Sequence, residues 1–248
     1  MSDPLVDRLQ AVARLSPPEL AAVESLTAST RMAAPNEVLL ERGQQQGFGI
    51  LLVDGWAMRH CTLPTGDRQL MRFLIPGNLC DPTFFVFKLA IHPTTAITSA
   101  KVATFQSETL LEMFELWPRI GWAFWSLSGH EQAVLQQRLA VLGRCNSYER
   151  TAHLIWELWC RLDHAGYVSG RTFHFPISPE LLADVLSLNL VNTIRALDRL
   201  AAEGYVEFPS GKLSIPNPER LQMLAMASGG PVVSDDLSEE LKVRVTAG

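Results

Sequence analysis

The side chains best suited to contact another molecule lie between residues 189 and 203. Asn192, Arg195 and Arg199 recur at helical spacing, so one face of a helix would present an amide and two guanidinium groups. Arginine can donate two hydrogen bonds to O6 and N7 of guanine, and asparagine can pair with the edge of adenine. A helix with this face is suited to contacting base edges in the major groove of DNA. We expect Arg195 to be its principal base-reading residue, with Asn192 pairing with adenine or contacting phosphate.

Further side chains around this helix are suited to the DNA backbone or to a thymine. Hydroxyl, amide and cationic groups bind phosphate oxygens, which positions a protein on DNA without specifying the sequence. The candidates for such contacts are Ser178, Asn189, Arg199 and Lys212. Ile194 precedes Arg195 and could pack on a thymine methyl group.

An alternative interpretation is an ordinary helical hairpin whose polar face is merely solvated. Acidic residues that would repel phosphate lie around the proposed surface, namely Asp184, Asp198 and Glu203. Residues 147–220 carry seven Lys/Arg against nine Asp/Glu, a balance of −2, so no basic footprint marks the region. If an exposed Ile194 does not pack on a thymine methyl group, its position indicates that the true helix phase is rotated by one residue from the assumed phase.

The elements that must position these side chains follow one another without long connections. Ser178 followed by Pro179 is a typical start of a helix, and Asn189 is a second N-cap after a turn at Ser187-Leu188. Gly204 ends the second helix. The runs YVEF and KLSIP, separated by Pro-Ser-Gly, then predict a β-hairpin. Helix, short turn, helix and β-wing together make a winged helix-turn-helix, which places its second helix in the major groove.

The N-terminal half has a different character. Residues 4–28 carry apolar side chains at helical spacing with a restart at Ser16-Pro17, which predicts two short helices. Between residues 32 and 107, short apolar runs alternate with turn signals. This pattern predicts an antiparallel barrel or sandwich, with hairpin turns at Asp54-Gly55 and Gly66-Asp67.

A long helix is predicted over about residues 117–143, and a further helix over residues 148–165. The long helix carries apolar side chains on more than one face. One face can cover the β-domain, and the other indicates a second partner, for which the same helix of another subunit is the simplest candidate. The alternative is a helix buried within one monomer. Gly129 interrupts the helix and either allows close approach of a partner helix or ligand, or is a tolerated kink.

Composition excludes several classes of protein. The chain has 248 residues, of which 47% are hydrophobic and 19% charged, and a net charge of −5, so it can bury a sizeable core. No apolar run reaches the ~20 residues of a membrane span, and the charged N-terminus lacks the apolar segment of a signal peptide. We therefore expect a cytoplasmic protein.

Catalytic and metal-binding motifs are absent from the sequence. No G-x-S-x-G, H-E-x-x-H, P-loop or Rossmann fingerprint occurs, so we predict no enzymatic activity. The four cysteines are widely spread and form no C-x-x-C pair, which argues against zinc and disulfides. They are Cys61, Cys80, Cys145 and Cys160. Isolated thiols are the simplest interpretation, with redox sensing by Cys61 or Cys80 as the alternative.

The order of these parts resembles the Crp/Fnr family of bacterial transcription regulators over about residues 5–226. The resemblance is carried by LLVDGWAMRHCTLPTGDRQLMRFLIPGNLCD (51–81), YERTAHLIWELWCRL (148–162) and FPISPELLADVLSLNLVNTIRALDRLAAEGYV (175–206). It implies an α+β chain with an N-terminal antiparallel, cyclic-nucleotide-binding-like β-roll, a long dimerisation helix and a C-terminal winged helix-turn-helix. The domain limits would be 1–116, 117–145 and 146–226, with an acidic tail at 227–248.

The resemblance also implies a homodimer that binds a palindromic site on double-stranded DNA and regulates RNA polymerase by direct contact. The sequence departs from family members that bind cyclic AMP, which carry Gly-Glu-Leu and then Arg-Ser or Arg-Thr in the β-roll. Here the region reads PGNLCDPTFFVFKLAIHPTTA, and no arginine lies between Arg72 and Arg119. A buried phosphodiester without a cation would be costly, so we predict no binding of cyclic AMP in the usual way.

No cofactor is predicted, and the effector remains open. The iron–sulfur cluster of the oxygen-sensing branch needs N-terminal cysteines, and no cysteine precedes Cys61. Candidates for an effector pocket are Asn78, Cys80 and Gly129. The competing hypothesis is a ligand- or partner-binding protein of the same fold whose helix-turn-helix binds DNA weakly or not at all.

Overall fold

The computed structural model describes residues 3–229. Within this range the chain forms two compact units, residues 3–130 and 131–229. Helix α4 (Pro118–Arg144) spans the division and confirms the predicted long helix. The predicted acidic tail lies outside the described residues from residue 230 onward. The predicted separation into sensor, dimerisation and DNA-binding segments stays a prediction.

The first unit begins with the two predicted short helices, α1 (Pro4–Val12) and α2 (Pro17–Ser25). Asp3 caps α1 by accepting a hydrogen bond from the backbone N–H of Leu5 at 2.8 Å. Ser16 and Glu19 form a capping box at the start of α2, with Ser16 N donating to Glu19 Oε2 at 2.7 Å. These caps satisfy backbone donors that have no partner within the helix.

Seven strands follow and form two antiparallel sheets, as the alternating pattern predicts. They are β1 (Thr30–Ala33), β2 (Val38–Leu40), β3 (Phe48–Asp54), β4 (Ala57–Thr62), β5 (Arg68–Leu74), β6 (Thr94–Ala96) and β7 (Ala100–Gln106). One sheet has the order β1-β7-β3 and the other the order β2-β6-β4-β5. The arrangement is a β-roll rather than a closed barrel.

Adjacent residues of one strand serve different cores because successive side chains point to opposite faces. Leu51 packs in a cluster with Leu5, Leu9 and Leu110, between the three-stranded sheet and the helices. Leu52, its neighbour in β3, packs in the second cluster, which lies within the roll.

Of the two predicted hairpin turns, one is confirmed and one is wrong. Gly66-Asp67 joins β4 and β5, which pair antiparallel. Asp54-Gly55 instead passes the chain from one sheet to the other, since β3 and β4 belong to different sheets. Gly55 has φ +88°, and a Cβ at this position would lie 2.6 Å from the carbonyl oxygen of Ser99. The glycine is required by close approach to the β6–β7 turn and not by a hairpin.

Two elements of this unit were not predicted. β1 has three exposed residues out of four, so it lacks the apolar alternation by which strands are recognised. Helix α3 (Ser107–Leu116) follows β7 directly and has no side-chain cap at Gln106, so no start signal separates it from the strand.

The second unit contains the predicted helices, a small sheet and a final helix over Pro218–Gly229 that was not predicted. Its elements after α4 are α5 (Ser147–His164), β8 (Thr172–His174), α6 (Pro179–Leu186), α7 (Leu190–Ala202), β9 (Lys212–Ser214) and α8 (Pro218–Gly229). β9 pairs antiparallel with β8, which was not predicted. The predicted YVEF strand is wrong, since Glu207 alone bridges to Ser214. The wing is therefore built mainly from two segments that lie about 40 residues apart in sequence.

Candidate nucleic-acid interface

Helix α6 supports the proposed reading helix. Ser178 is exposed and caps α6, its Oγ accepting a hydrogen bond from Leu181 N at 3.4 Å, with Pro179 in the first turn. Leu182 and Val185 are both 1% exposed and anchor the helix in the core of the second unit. Both caps predicted from sequence are confirmed, since Asn189 caps α7 in the same way.

The turn between the helices is tight because one residue adopts a left-handed conformation. Ser187 has φ 53° and ends α6, and Leu188 N donates to Ala183 O at 3.0 Å. The chain then enters α7 at Asn189, whose Oδ1 accepts from Asn192 N at 2.8 Å. Two residues therefore redirect the backbone, while a carbonyl group at the end of α6 and an N–H group at the start of α7 each keep a hydrogen-bond partner.

Helix α7 lies in the predicted phase. Thr193 and Leu200 are fully buried, and Ala196 and Leu197 are buried beside them. Arg195 and Arg199 are exposed and Asn192 is half-buried. Ile194 is 40% exposed, so the suggestion that the helix is rotated by one residue is wrong. The chain therefore brings Asn192, Ile194 and Arg195 together on an accessible surface at the N-terminal half of the helix.

Two apolar neighbours of this surface were missed from the sequence. Leu190 is 39% exposed and Val191 is 56% exposed, and together with Ile194 they make the start of α7 unusually apolar. Their positions at the start of α7 are visible in the sequence. Hydrophobic side chains are usually buried, however, so the sequence did not indicate that these two are exposed. Apolar side chains at this end of a reading helix are suited to thymine methyl groups.

Arg199 differs from Arg195 in having partners within the protein. Its Nε donates to Glu203 Oε1 at 2.7 Å, and its guanidinium carbon lies 4.0 Å from the centroid of the Tyr148 ring. Tyr148 OH donates to the other carboxylate oxygen of Glu203 at 2.6 Å. These two hydrogen bonds, from Tyr148 first and then Arg199, lower the pKa of Glu203. Glu203 is therefore engaged by neighbouring groups and is not an isolated charge facing phosphate.

The wing carries the remaining candidate, Lys212. Lys212 is exposed at the start of β9, and its backbone N–H donates to Pro209 O at 3.0 Å. The turn before it uses positive φ angles at Ser210 (40°) and Gly211 (74°). Glu207 and Ser214 close the loop with two backbone hydrogen bonds of 2.9 Å. The wing thus presents a lysine on a short, internally bonded loop.

Helix α5 fixes the positions of α6 and α7. Arg150 Nε donates to Cys145 O at 2.8 Å, and Arg150 Nη1 donates to Leu186 O at 3.3 Å, at the end of α6. Residues of α5 also pack against α7 and α8. The surface formed by Asn192, Ile194 and Arg195 is therefore supported by α5, the longest described helix that lies wholly within the second unit.

The predicted effector residues occupy different environments in the first unit. Asn78 is 1% exposed and its Oδ1 accepts from Ile75 N at 3.0 Å, which closes the turn after β5. Cys80 is fully buried, and burial raises its thiol pKa to about 12, so it is unsuited to thiolate chemistry. Gly129 is exposed, and a Cβ there would meet no heavy atom within 4 Å. The structure thus does not place Gly129 against the other two, and an effector site at Asn78 and Cys80 stays a prediction.

The second unit contains a domain of a known family. Residues 149–224 match the family model of the Crp-like helix-turn-helix domain. The transcriptional activator protein FnrL of Cereibacter sphaeroides is 25% identical over 202 residues, covering 78% of each chain. The fumarate and nitrate reduction regulatory protein of Shigella dysenteriae is 22% identical over 209 residues, covering 84% of this chain and 82% of that protein.

Over most of its length this chain is similar to regulators of the Crp/Fnr type, and its residues 149–224 match the Crp-like helix-turn-helix domain. These similarities support a DNA-binding regulator of transcription. The structure of FixK2 from Bradyrhizobium japonicum has the same fold, with a TM-score of 0.70 at 20% identity, covering 79% of this chain and 96% of that one. The predicted α+β architecture of β-roll, long helix and winged helix-turn-helix is confirmed as that of the Crp/Fnr family.

Between residues 3 and 229, no three His, Cys, Asp or Glu side chains are grouped so that they could hold a metal ion. In the same range, no helix is long and apolar enough to span a membrane.

Proposed function

We propose that this chain is a Crp/Fnr-type regulator, a homodimer that reads a palindromic DNA site with one α7 helix in each half-site. The observation that carries the proposal is the exposure of Arg195, beside a half-buried Asn192, opposite a fully buried face formed around Thr193 and Leu200. Among the described residues, no hydrogen bond or ion pair engages the Arg195 side chain. Its guanidinium group therefore meets a base without first breaking an interaction within the protein.

The residues divide into base-reading and backbone-contacting sets. Arg195 pairs with O6 and N7 of a guanine, Asn192 pairs with an adenine or contacts a phosphate, and Ile194 packs on a thymine methyl group. The backbone set positions the protein without reading sequence. It comprises Ser178, Asn189, Arg199 and Lys212, all of which are exposed.

The dimer would form along α4. Trp122, Trp125 and Leu139 are 37%, 74% and 73% exposed. Their spacings of three and fourteen residues match a heptad seam, and Gly129 and Gly143 continue the same stripe. Large apolar side chains on the outside of a helix at this spacing are typical of a helix–helix interface. In a homodimer the stripe meets its own copy, and Gly129 permits close approach there.

Regulation in the bacterial cytoplasm would follow from contact between the bound dimer and RNA polymerase. Cyclic AMP is not the expected effector. The turn after β5 binds the protein's own backbone through Asn78, and the carbonyl groups of Leu79 and Cys80 accept hydrogen bonds from Arg59 at 3.1 and 3.0 Å. The loop that follows offers no arginine for a cyclic phosphate.

A second candidate function is a sensor of the same fold that binds a ligand or protein partner and has weak affinity for DNA. The exposed apolar side chains of Leu190, Val191 and Ile194 favour it, because such a surface also suits a protein partner. The net charge of −5 points the same way.

Selection of bound duplexes from a random DNA pool separates the two functions. The purified parent protein should enrich a palindrome whose half-sites lie about one helical turn apart, and Arg195→Ala should relax or lose that enrichment. Lys212→Ala is the matched control, since loss of a phosphate contact should weaken binding without changing the enriched sequence. Failure to enrich any sequence, with or without cell extract, would favour the partner-binding function.

A further inference from the structure

The cluster of Tyr148, Arg199 and Glu203 joins the beginning of α5 to the end of α7. An exposed Arg–Glu pair four residues apart on a helix contributes little by itself, because solvent screens it and both side chains lose freedom. Here the guanidinium group is held on two sides, by the Tyr148 ring against its face and by the Glu203 carboxylate at Nε. Tyr148 is 9% exposed and so provides a fixed platform.

This arrangement leaves the two terminal nitrogens of Arg199 available. The Arg199 side chain is 60% exposed, and no residue of the described chain engages Nη1 or Nη2. The two terminal N–H groups of a guanidinium match two oxygens of a phosphate. Because the ring and the carboxylate already restrict the side chain, less conformational freedom is lost when phosphate binds.

The position of Arg199 fits the edge of a DNA groove. Arg199 lies one turn after Arg195 on the same face of α7, about 6 Å further along the axis. A helix with Arg195 at the base edges of a major groove about 12 Å wide brings its next turn towards the sugar–phosphate backbone. Tyr148 belongs to the first turn of α5, where the helix dipole adds positive potential for an anion.

We propose that Tyr148 and Glu203 are positioning residues that hold Arg199 as a preformed contact to a DNA phosphodiester. The inference rests on the proposed function, since it requires α7 to lie in the major groove. In this arrangement Glu203 strengthens DNA binding, whereas simple electrostatics predicts that its negative charge weakens it. The sign of the effect of removing Glu203 therefore distinguishes the two accounts.

The test is the salt dependence of binding to a 30-base-pair duplex recovered by the selection, for the parent, Arg199→Ala and Glu203→Ala. We expect both variants to bind roughly threefold to tenfold more weakly at about 0.1 M salt. The slope of log K against log salt should become shallower by about 0.9 per half-site. Glu203→Ala should cause no further loss of slope in the Arg199→Ala background. Glu207→Ala, which removes the same charge from another exposed position of the unit, should bind as well as the parent or better.

Tyr148 is tested by a pair of substitutions. Tyr148→Leu removes the ring and should reduce the slope as Glu203→Ala does, whereas Tyr148→Phe keeps the ring and should restore it. Tighter binding by Glu203→Ala, or a slope equal to the parent's, would overturn the inference while leaving the proposed function intact. Equal loss of slope in Glu207→Ala would overturn it too, because the slope would then report overall charge. A parent protein that binds no duplex contradicts the proposed function itself.

Discussion

Arg138 Nη2 donates hydrogen bonds to both carboxylate oxygens of Glu157, each at 2.7 Å, and both side chains are buried. Arg161, one turn further along α5, donates to the same carboxylate at 3.3 Å. The Arg138–Glu157 pair fastens the end of α4 to α5, and Arg161 adds a bond within α5, which also packs against α7. A buried charge that loses its partner keeps its cost of desolvation.

Glu157→Gln should therefore lower the free energy of unfolding by about 3–5 kcal/mol, as expected for a broken buried pair. Urea titration followed by tryptophan fluorescence measures it, since Trp156 and Trp159 lie on the same helix. Glu207→Gln, an exposed position in the same unit, is the control and should leave the urea midpoint unchanged. Equal midpoints for the two variants would show that the buried pair is not a principal contributor to stability.

His153 makes the stability of the second unit depend on pH. It is 3% exposed, and its Nε2 has no hydrogen-bond partner in the described chain. Burial lowers its pKa, Arg138 adds to the lowering and Glu157 opposes it. The unfolded state therefore binds a proton more readily than the folded state, and stability falls as pH drops through the unfolded pKa of ~6.5 towards the folded value.

Replacement of His153 by leucine should remove this component of the pH dependence. Urea midpoints measured from about pH 7.5 to about pH 5 should fall more steeply for the parent than for His153→Leu. The difference between the two curves isolates His153, because every other titrating group is common to both proteins. Parallel curves would mean that His153 accepts its proton without cost in the folded state.

The side-chain cap of α7 contributes to stability. Asn189→Ala removes the side-chain acceptor for Asn192 N and should cost about 1 kcal/mol of unfolding free energy. Asn189→Ser retains a capping oxygen and should restore most of that loss. Thermal melting of the three proteins measures the effect. A serine variant no more stable than the alanine variant would contradict the capping role.

The exposed stripe on α4 predicts the oligomeric state. Trp125→Glu places a charge on a 74%-exposed aromatic position and should shift the protein from dimer to monomer in sedimentation experiments. Met223→Glu is the matched control, because Met223 is 65% exposed on α8 and lies outside the stripe. A dimer unaffected by Trp125→Glu would exclude this stripe as the interface.

Local signals in the sequence were sufficient to predict helices α6 and α7. Ser178 and Asn189 cap them as predicted, and the helical spacing that places Asn192, Arg195 and Arg199 on one face leaves Thr193, Leu197 and Leu200 buried. Caps and periodicity arise within a few residues, so sequence alone exposes them. The residues proposed to read bases follow from the same periodicity.

Contacts between distant residues were not predictable in the same way. β8 is recognised only through its pairing with β9, and the Asp54-Gly55 turn resembles a hairpin until the two sheets are known. The partnership of Tyr148 with Glu203 joins residues 55 positions apart. Such features depend on contacts between residues that are far apart in the sequence, and local composition and hydrophobic periodicity do not reveal those contacts.

The most direct test of the central claim is a cycle that combines Arg195→Ala with a base-pair substitution in the selected half-site. If Arg195 reads a guanine, replacing that G·C pair should weaken parent binding by about 1–3 kcal/mol and leave Arg195→Ala binding almost unchanged. Substitution at a neighbouring base pair should affect both proteins equally. Additive losses at every position of the half-site would contradict the assignment of Arg195 as a base-reading residue.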